Sequence, residues 1–199
     1  MSFLISLHVY GSKNLLFHEQ KAGSDTEVKI SDFGYAKKVT FPNSLRTQCG
    51  TEGYVAPEIL THRPCYDVPC DMWSLGVIIY IVLGGYRPFR GEGEEVMKQI
   101  RYGEFKFHKR YWSHVSDDAK NLITRMLTVD PERRITAKSA LNSRWIRASE
   151  DALGTELSNN MKDLKVLKSA KSKVKNAVNT IIATNKLQSI GGMRAYQDF

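Results

Sequence analysis

V-K-I-S-D-F-G-Y-A-K-K at residues 28–38 and C-G-T-E-G-Y-V-A-P-E at residues 49–58 bracket the stretch whose reading decides the fold. Val28 and Ile30 alternate with Lys29 and Ser31, the period of a short strand. That strand delivers Asp32 onto a turn ended by Gly34. A carboxylate at a strand end is well placed to hold a hard metal ion. Downstream, Ala56-Pro57-Glu58 starts a helix, because a proline is accommodated in the first turn. Between the two markers the chain is rich in Ser, Thr, Asn, Lys and Arg and has no apolar period, so it reads as a surface loop. A loop of this length is usually functional or disordered. Taken alone, Asp-Phe-Gly also fits a plain turn.

Asp32-Phe33-Gly34 and Ala56-Pro57-Glu58, in this order and at a loop-sized separation, resemble the activation segment of eukaryotic protein kinases. The resemblance implies ATP and Mg2+ as cofactors of the intact family, with Asn14, Asp32, Phe33 and Gly34 on the cofactor side and Asn14 and Asp32 as magnesium ligands. The residues allow this. Asn14-Leu15-Leu16-Phe17 is an apolar run suited to a buried strand, and His18 to Glu27 is a polar link with a turn at Gly23-Ser24-Asp25. The resulting hairpin would bring Asn14 towards Asp32, although Asn14 alone also reads as a turn-forming cap.

Upstream of Asn14 the resemblance stops. The family places His-Arg-Asp-Leu-Lys-Pro-Glu there, and this chain has Leu7-His8-Val9-Tyr10-Gly11-Ser12-Lys13. Val9 occupies the position of the catalytic aspartate and Gly11 that of the phosphate-contacting lysine, so no catalytic residue is expected. An isopropyl group accepts no hydrogen bond from a substrate hydroxyl. Residues 1–13 read poorly as any element, and no Gly-rich loop or strand lysine precedes them. Gly91-Glu92-Gly93 lacks the spacing of such a loop. A misplaced start or a retained intron is the expected origin of the break.

A chain of 199 residues, 42% hydrophobic and 25% charged, can bury one sizeable core. Cys49, Cys65 and Cys70 lack paired metal spacing and are expected as free thiols, which points to a cytoplasmic location with the nucleus as the alternative. The apolar opening Met1 to Leu7 lacks a basic start and a cleavage site, so no secretory signal is read there. Of the net charge of +8, the tail from Thr155 carries +5, eight Lys or Arg against Glu156, Asp163 and Asp198. The basicity belongs to the tail.

The body reads as helices. Ala56 to Leu60 is one or two turns, and Thr61 to Pro69 is a polar link. Asp71 to Leu83 is apolar on all sides and too short to cross a bilayer, hence a fully buried core helix stopped by Gly84-Gly85. By the resemblance Asp71 holds the catalytic loop; as a first-turn acid it also suits the helix dipole. Glu94 to Tyr102 is expected as a half-exposed helix with Val96, Met97 and Ile100 on one side. Trp112 is expected in a loop. Ser116 caps a further helix whose apolar face is Ala119, Leu122, Ile123, Met126 and Leu127. In Asp130-Pro131-Glu132-Arg133-Arg134, the resemblance pairs Arg134 with Glu58, for which the planar guanidinium fork suits a carboxylate. A solvated helix start is the alternative. Thr136 to Trp145 completes the body as one helix, with Ala137, Ala140 and Leu141 facing in.

From Leu157 to Ile181 apolar residues recur at steps of three, four or seven, against lysines at 162, 165, 168, 171, 173 and 175. Such a basic amphipathic helix suits a membrane surface, a calmodulin-type groove, an acidic surface of its own protein, or simple packing on the body. Together with Leu45-Arg46-Thr47-Gln48-Cys49-Gly50-Thr51 and Ala170-Lys171-Ser172-Lys173, it resembles the calcium/calmodulin-dependent protein kinases of the type-I-like group. This implies an autoinhibitory tail with calmodulin anchors at Val174 and Leu187, valine standing where the family has an aromatic. It also implies an activation loop containing Thr47, Thr51 and Tyr54, Thr47 being the target of an upstream kinase or, on the residues alone, an ordinary loop hydroxyl. The family's Gly-Thr-Pro-Gly is here Gly50-Thr51-Glu52-Gly53.

The expected fold is mainly α: a kinase-like C-terminal lobe, a helical body with a small β-hairpin, without the N-terminal β lobe and with a C-terminal regulatory helix. Its divisions are a non-matching segment 1–13, the lobe 14–148, the tail 149–190 and a flexible end 191–199. The expected function is that of a truncated serine/threonine kinase, inactive alone, which acts on protein substrates, possesses no transmembrane segment and is monomeric. The rival is a non-catalytic, pseudokinase-like module with a calmodulin-binding tail. Nucleic acid is not an expected partner, since no aromatics interleave with the tail lysines.

Overall fold

The computed structural model describes residues 4–6, 15–18, 27–30, 36–39 and 41–148. Val9, Asn14, Asp32, Phe33, Gly34, Val174 and Leu187 lie outside these residues, as do the expected tail and end segments. Strands β2 (Leu15–His18) and β3 (Glu27–Ile30) form the expected antiparallel hairpin, in register Leu15↔Ile30 to His18↔Glu27. A second pairing was not anticipated. Strand β1 (Leu4–Ser6), from the segment that reads poorly as any element, pairs antiparallel with β4 (Lys37–Val39), which follows Asp32-Phe33-Gly34 in sequence. Three residues a side are too few for alternation to register in a sequence.

The described body is mainly helical. After a 3-10 turn at Pro57–Ile59, α1 spans Pro69–Gly84, α2 Glu94–Tyr102, α3 Lys109–Trp112, α4 Asp117–Met126, α5 Ala137–Leu141 and α6 Arg144–Arg147. Helix α1 is the axis of the body. It opens with Pro69 in its first turn, beside the buried acid Asp71. It stops where Gly85 takes the left-handed conformation at φ 76° and its N–H returns to the Ile81 carbonyl. The helix is buried almost all round, but Val82 is 40% exposed, which corrects the reading of a fully buried helix. Its last turn reaches solvent at this position.

Two glycines set how closely α1 is approached. A Cβ on Gly76 would stand 2.8 Å from the Met126 Cβ, so α4 packs almost backbone to backbone there. A Cβ on Gly84 would stand 2.6 Å from the Trp112 ring, which rests on that bare surface. Trp112 therefore sits at the end of a short helix, α3, and not in a loop. Around it Tyr80, Tyr86, Phe105 and Phe107 form an aromatic cluster, with Tyr80 4.7 Å from Trp112 between ring centroids.

Helix α4 follows its sequence pattern. Ser116 accepts the Ala119 N–H as cap, and Ala119, Leu122, Ile123, Met126 and Leu127 are all buried. The single helix expected from Thr136 to Trp145 is instead two short ones, because the first ends at Asn142 and Ser143 takes extended backbone angles before α6. Ala140, Trp145 and Ile146 enter the core. Among the described residues no helix is long and apolar enough to cross a membrane.

Candidate functional site

The site is a surface segment, residues 43–58, fastened to the helical body at both ends and in the middle. At its C-terminal end is the Arg134 and Glu58 pair. Nη1 and Nη2 of Arg134 donate to Glu58 Oε1 and Oε2 at 2.6 and 2.8 Å, a bidentate fork. Nε donates to the Thr128 carbonyl, and the remaining protons of Nη1 and Nη2 go to the Pro69 and Val129 carbonyls, so all five N–H donors are used. The Arg134 side chain is wholly buried and that of Glu58 is 10% exposed. The guanidinium also lies 5.2 Å from the Trp73 ring centroid. A charge taken so far from water is tolerable only with this degree of pairing.

At its N-terminal end the segment is zipped to the 61–67 link. Leu45 and Tyr66 exchange backbone hydrogen bonds in both directions. The Asn43 N–H donates to Asp67 Oδ2, and the Gln48 amide donates to the Thr61 carbonyl. Tyr66, 1% exposed, donates its hydroxyl to the Thr47 carbonyl at 2.6 Å, with Cys49 Sγ 3.8 Å from the Tyr66 hydroxyl oxygen. Burial, helped by the contact with Cys49, pushes the Tyr66 phenol far above its usual range, so it remains a donor. Thr47 itself is exposed, and its hydroxyl accepts from Lys37 Nζ at 2.9 Å.

In the middle, Thr51 is exposed and its carbonyl accepts the Tyr54 N–H. Tyr54 is buried, its carbonyl accepts from Ser74 Oγ at 2.9 Å, and Arg87 lies 5.9 Å from its ring centroid. Ser74 belongs to α1, the helix that also carries Asp71 and Trp73, so the loop is referenced to the rigid axis of the body. Glu52 Oε1 accepts the N–H of Gly93, the residue before α2.

The structure thus brings Arg134 to Glu58 and collects Thr47, Thr51 and Tyr54 on one segment. Asp71 is fully buried in the first turn of α1. The sequence reading missed Tyr66, Lys37, Ser74 and the tie from Glu52 to Gly93. Tyr66 sat in a stretch read only as a polar link; a lone large aromatic beside Asp67 and two prolines was the available signal.

A family model described as protein kinase domain matches residues 12–146. The Caenorhabditis elegans calcium/calmodulin-dependent protein kinase type 1 is 40% identical over 183 residues, covering 89% of this chain and 50% of that protein. The Xenopus laevis ribosomal protein S6 kinase 2 alpha is 40% identical over 182 residues, 89% of this chain and 24% of its own length. Calcium-dependent protein kinase 3 of Plasmodium yoelii yoelii is 35% identical over 197 residues, 94% of this chain and 35% of its own. The chain spans half or less of the length of these relatives. With a match over two-thirds of its residues, the chain belongs to the protein kinase family and resembles its calcium/calmodulin-dependent members.

Proposed function

We propose that residues 14–148 are the C-terminal lobe of a serine/threonine kinase that presents a peptide hydroxyl to the γ-phosphoryl group of ATP, and that 149–190 are its regulatory, calmodulin-binding tail. The observation that carries this reading is the buried fork from Arg134 to Glu58, which fixes the Thr47 to Glu58 segment to the body as a peptide-presenting loop requires. Asn14 immediately precedes β2 and Asp32 follows β3 by two residues, and the Leu15↔Ile30 pairing supports their working together. An amide oxygen and a carboxylate suit Mg2+, which would supply positive charge to neutralise ATP phosphates. Thr47 is the proposed target of an upstream kinase.

Within these 199 residues Val9 occupies the place of the catalytic aspartate, and its isopropyl group accepts no proton. The polypeptide as it stands is therefore proposed to lack transferase activity. Incubation with radiolabelled ATP and a serine peptide should give no transfer above background; transfer abolished by Asp32→Asn would overturn this. Val9 also favours a second reading, a non-catalytic binding module. Calcium-dependent retention on immobilised calmodulin, lost in Val174→Asp, supports the tail assignment, and retention indifferent to calcium contradicts it.

A further inference from the structure

Glu52 stands on the shared wall of two adjoining cavities. One, of about 650 Å³, runs past Arg87, Phe89, Arg90 and Gly91 to the start of α2. The other, of about 260 Å³, is walled largely by apolar side chains, among them Val55, Ile59, Leu60, Met97 and Ile100. One oxygen of the Glu52 carboxylate is held by the Gly93 N–H, which satisfies an otherwise open donor at the α2 N-terminus and fixes where the charge points. The other oxygen keeps its acceptor capacity. Among the described residues no cation lies within ion-pair distance of Glu52. The two arginines of the same groove are turned onto rings instead, Arg87 over Tyr54 at 5.9 Å and Arg90 over Tyr86 at 4.3 Å. Solvent serves the carboxylate while the groove is open. Any chain laid across it removes that water, and an uncompensated carboxylate is costly to cover.

We infer that Glu52 is a specificity-determining residue: it selects an extended peptide in which a lysine or arginine lies next to a bulky apolar residue, the cation on Glu52 and the apolar side chain in the smaller cavity. The inference rests on the peptide-presenting role proposed above and adds the chemistry of the peptide. The family pattern has a proline at this position, which can neither accept from Gly93 nor hold a charge.

The test is fluorescence anisotropy with the full chain and three labelled dodecapeptides, identical except for a central Lys-Leu, Glu-Leu or Lys-Asp pair. Lys-Leu should bind roughly fivefold more tightly than either alternative, the scale of one charge-assisted contact at a partly exposed site. Glu52→Gln keeps the acceptor for Gly93 and should abolish the preference for lysine over glutamate while leaving that for leucine over aspartate. Glu52→Lys should reverse the first preference. Unchanged ranking in both variants overturns the assignment of Glu52 while leaving the peptide-presenting role intact. Failure of every peptide to bind overturns both.

Discussion

Arg134 is the residue on which most depends, because its removal strands a carboxylate and three carbonyls at once. Arg134→Met should lower stability by about 3–5 kcal/mol, as expected when one partner of a buried pair is lost. Adding Glu58→Leu should recover much of that, since an apolar pair no longer needs compensation. A double-mutant cycle by chemical denaturation reads the coupling directly. Arg134→Lys keeps the charge but not the fork, and should fall between.

Tyr66 offers a second test at the same scale. Its phenol and that of Tyr80 are both pushed up, chiefly by burial. An unfolded phenol ionises near pH 10 while the folded ones hold their protons, so above about pH 10 the unfolded state binds fewer protons than the native state. Stability should be level with respect to these groups below that pH and fall above it. Tyr66→Phe should cost about 1 kcal/mol at neutral pH for the lost bond to the Thr47 carbonyl, and should flatten the alkaline decline of Tm. The same variant should release the 43–48 segment to trypsin at Arg46.

At the level of the elements, the α1 and α4 crossing is the most constrained contact in the body. Gly76→Ala forces a methyl group to within 2.8 Å of Met126 unless the helices part, and should cost about 1–3 kcal/mol. Ser116→Ala removes the α4 cap and should cost about 1 kcal/mol, with α4 still formed by circular dichroism. Elements with a long apolar period were legible in the sequence: α2 and α4 follow their patterns, as does the β2 and β3 hairpin. What failed had local causes. The pairing of β1 with β4 joins three-residue strands more than thirty residues apart, which no local pattern encodes. Ser143 divides a helix whose composition is uniform across the break. For the site, motif spacing brought Arg134 and Glu58 to notice. The Tyr66 hydroxyl and the Glu52 carboxylate act on backbone groups 19 and 41 residues away, and such contacts leave no trace in composition or period.

On the scale of the whole molecule, charge is unevenly spread along the sequence. The tail from Thr155 holds +5 of the +8, while every aromatic contact described above lies between residues 54 and 134. On the tail assignment proposed above, deleting residues 149–199 should leave the cooperative melt of the body within a few degrees and leave no calcium-dependent retention on calmodulin. A body that fails to fold without those residues would contradict this division.

Trp73, Trp112 and Trp145 are the three tryptophans of the chain, and all are buried in the helical body. Intrinsic emission on excitation at the red edge of indole absorption thus arises from the body alone. The indoles also differ in their surroundings: the Trp112 N–H donates to the Tyr86 hydroxyl, and the Trp73 N–H has no acceptor among the described residues. Loss of the Arg134 guanidinium beside Trp73 should therefore change one lifetime component and spare the others, giving the fastening of residues 43–58 a built-in optical probe that needs no label.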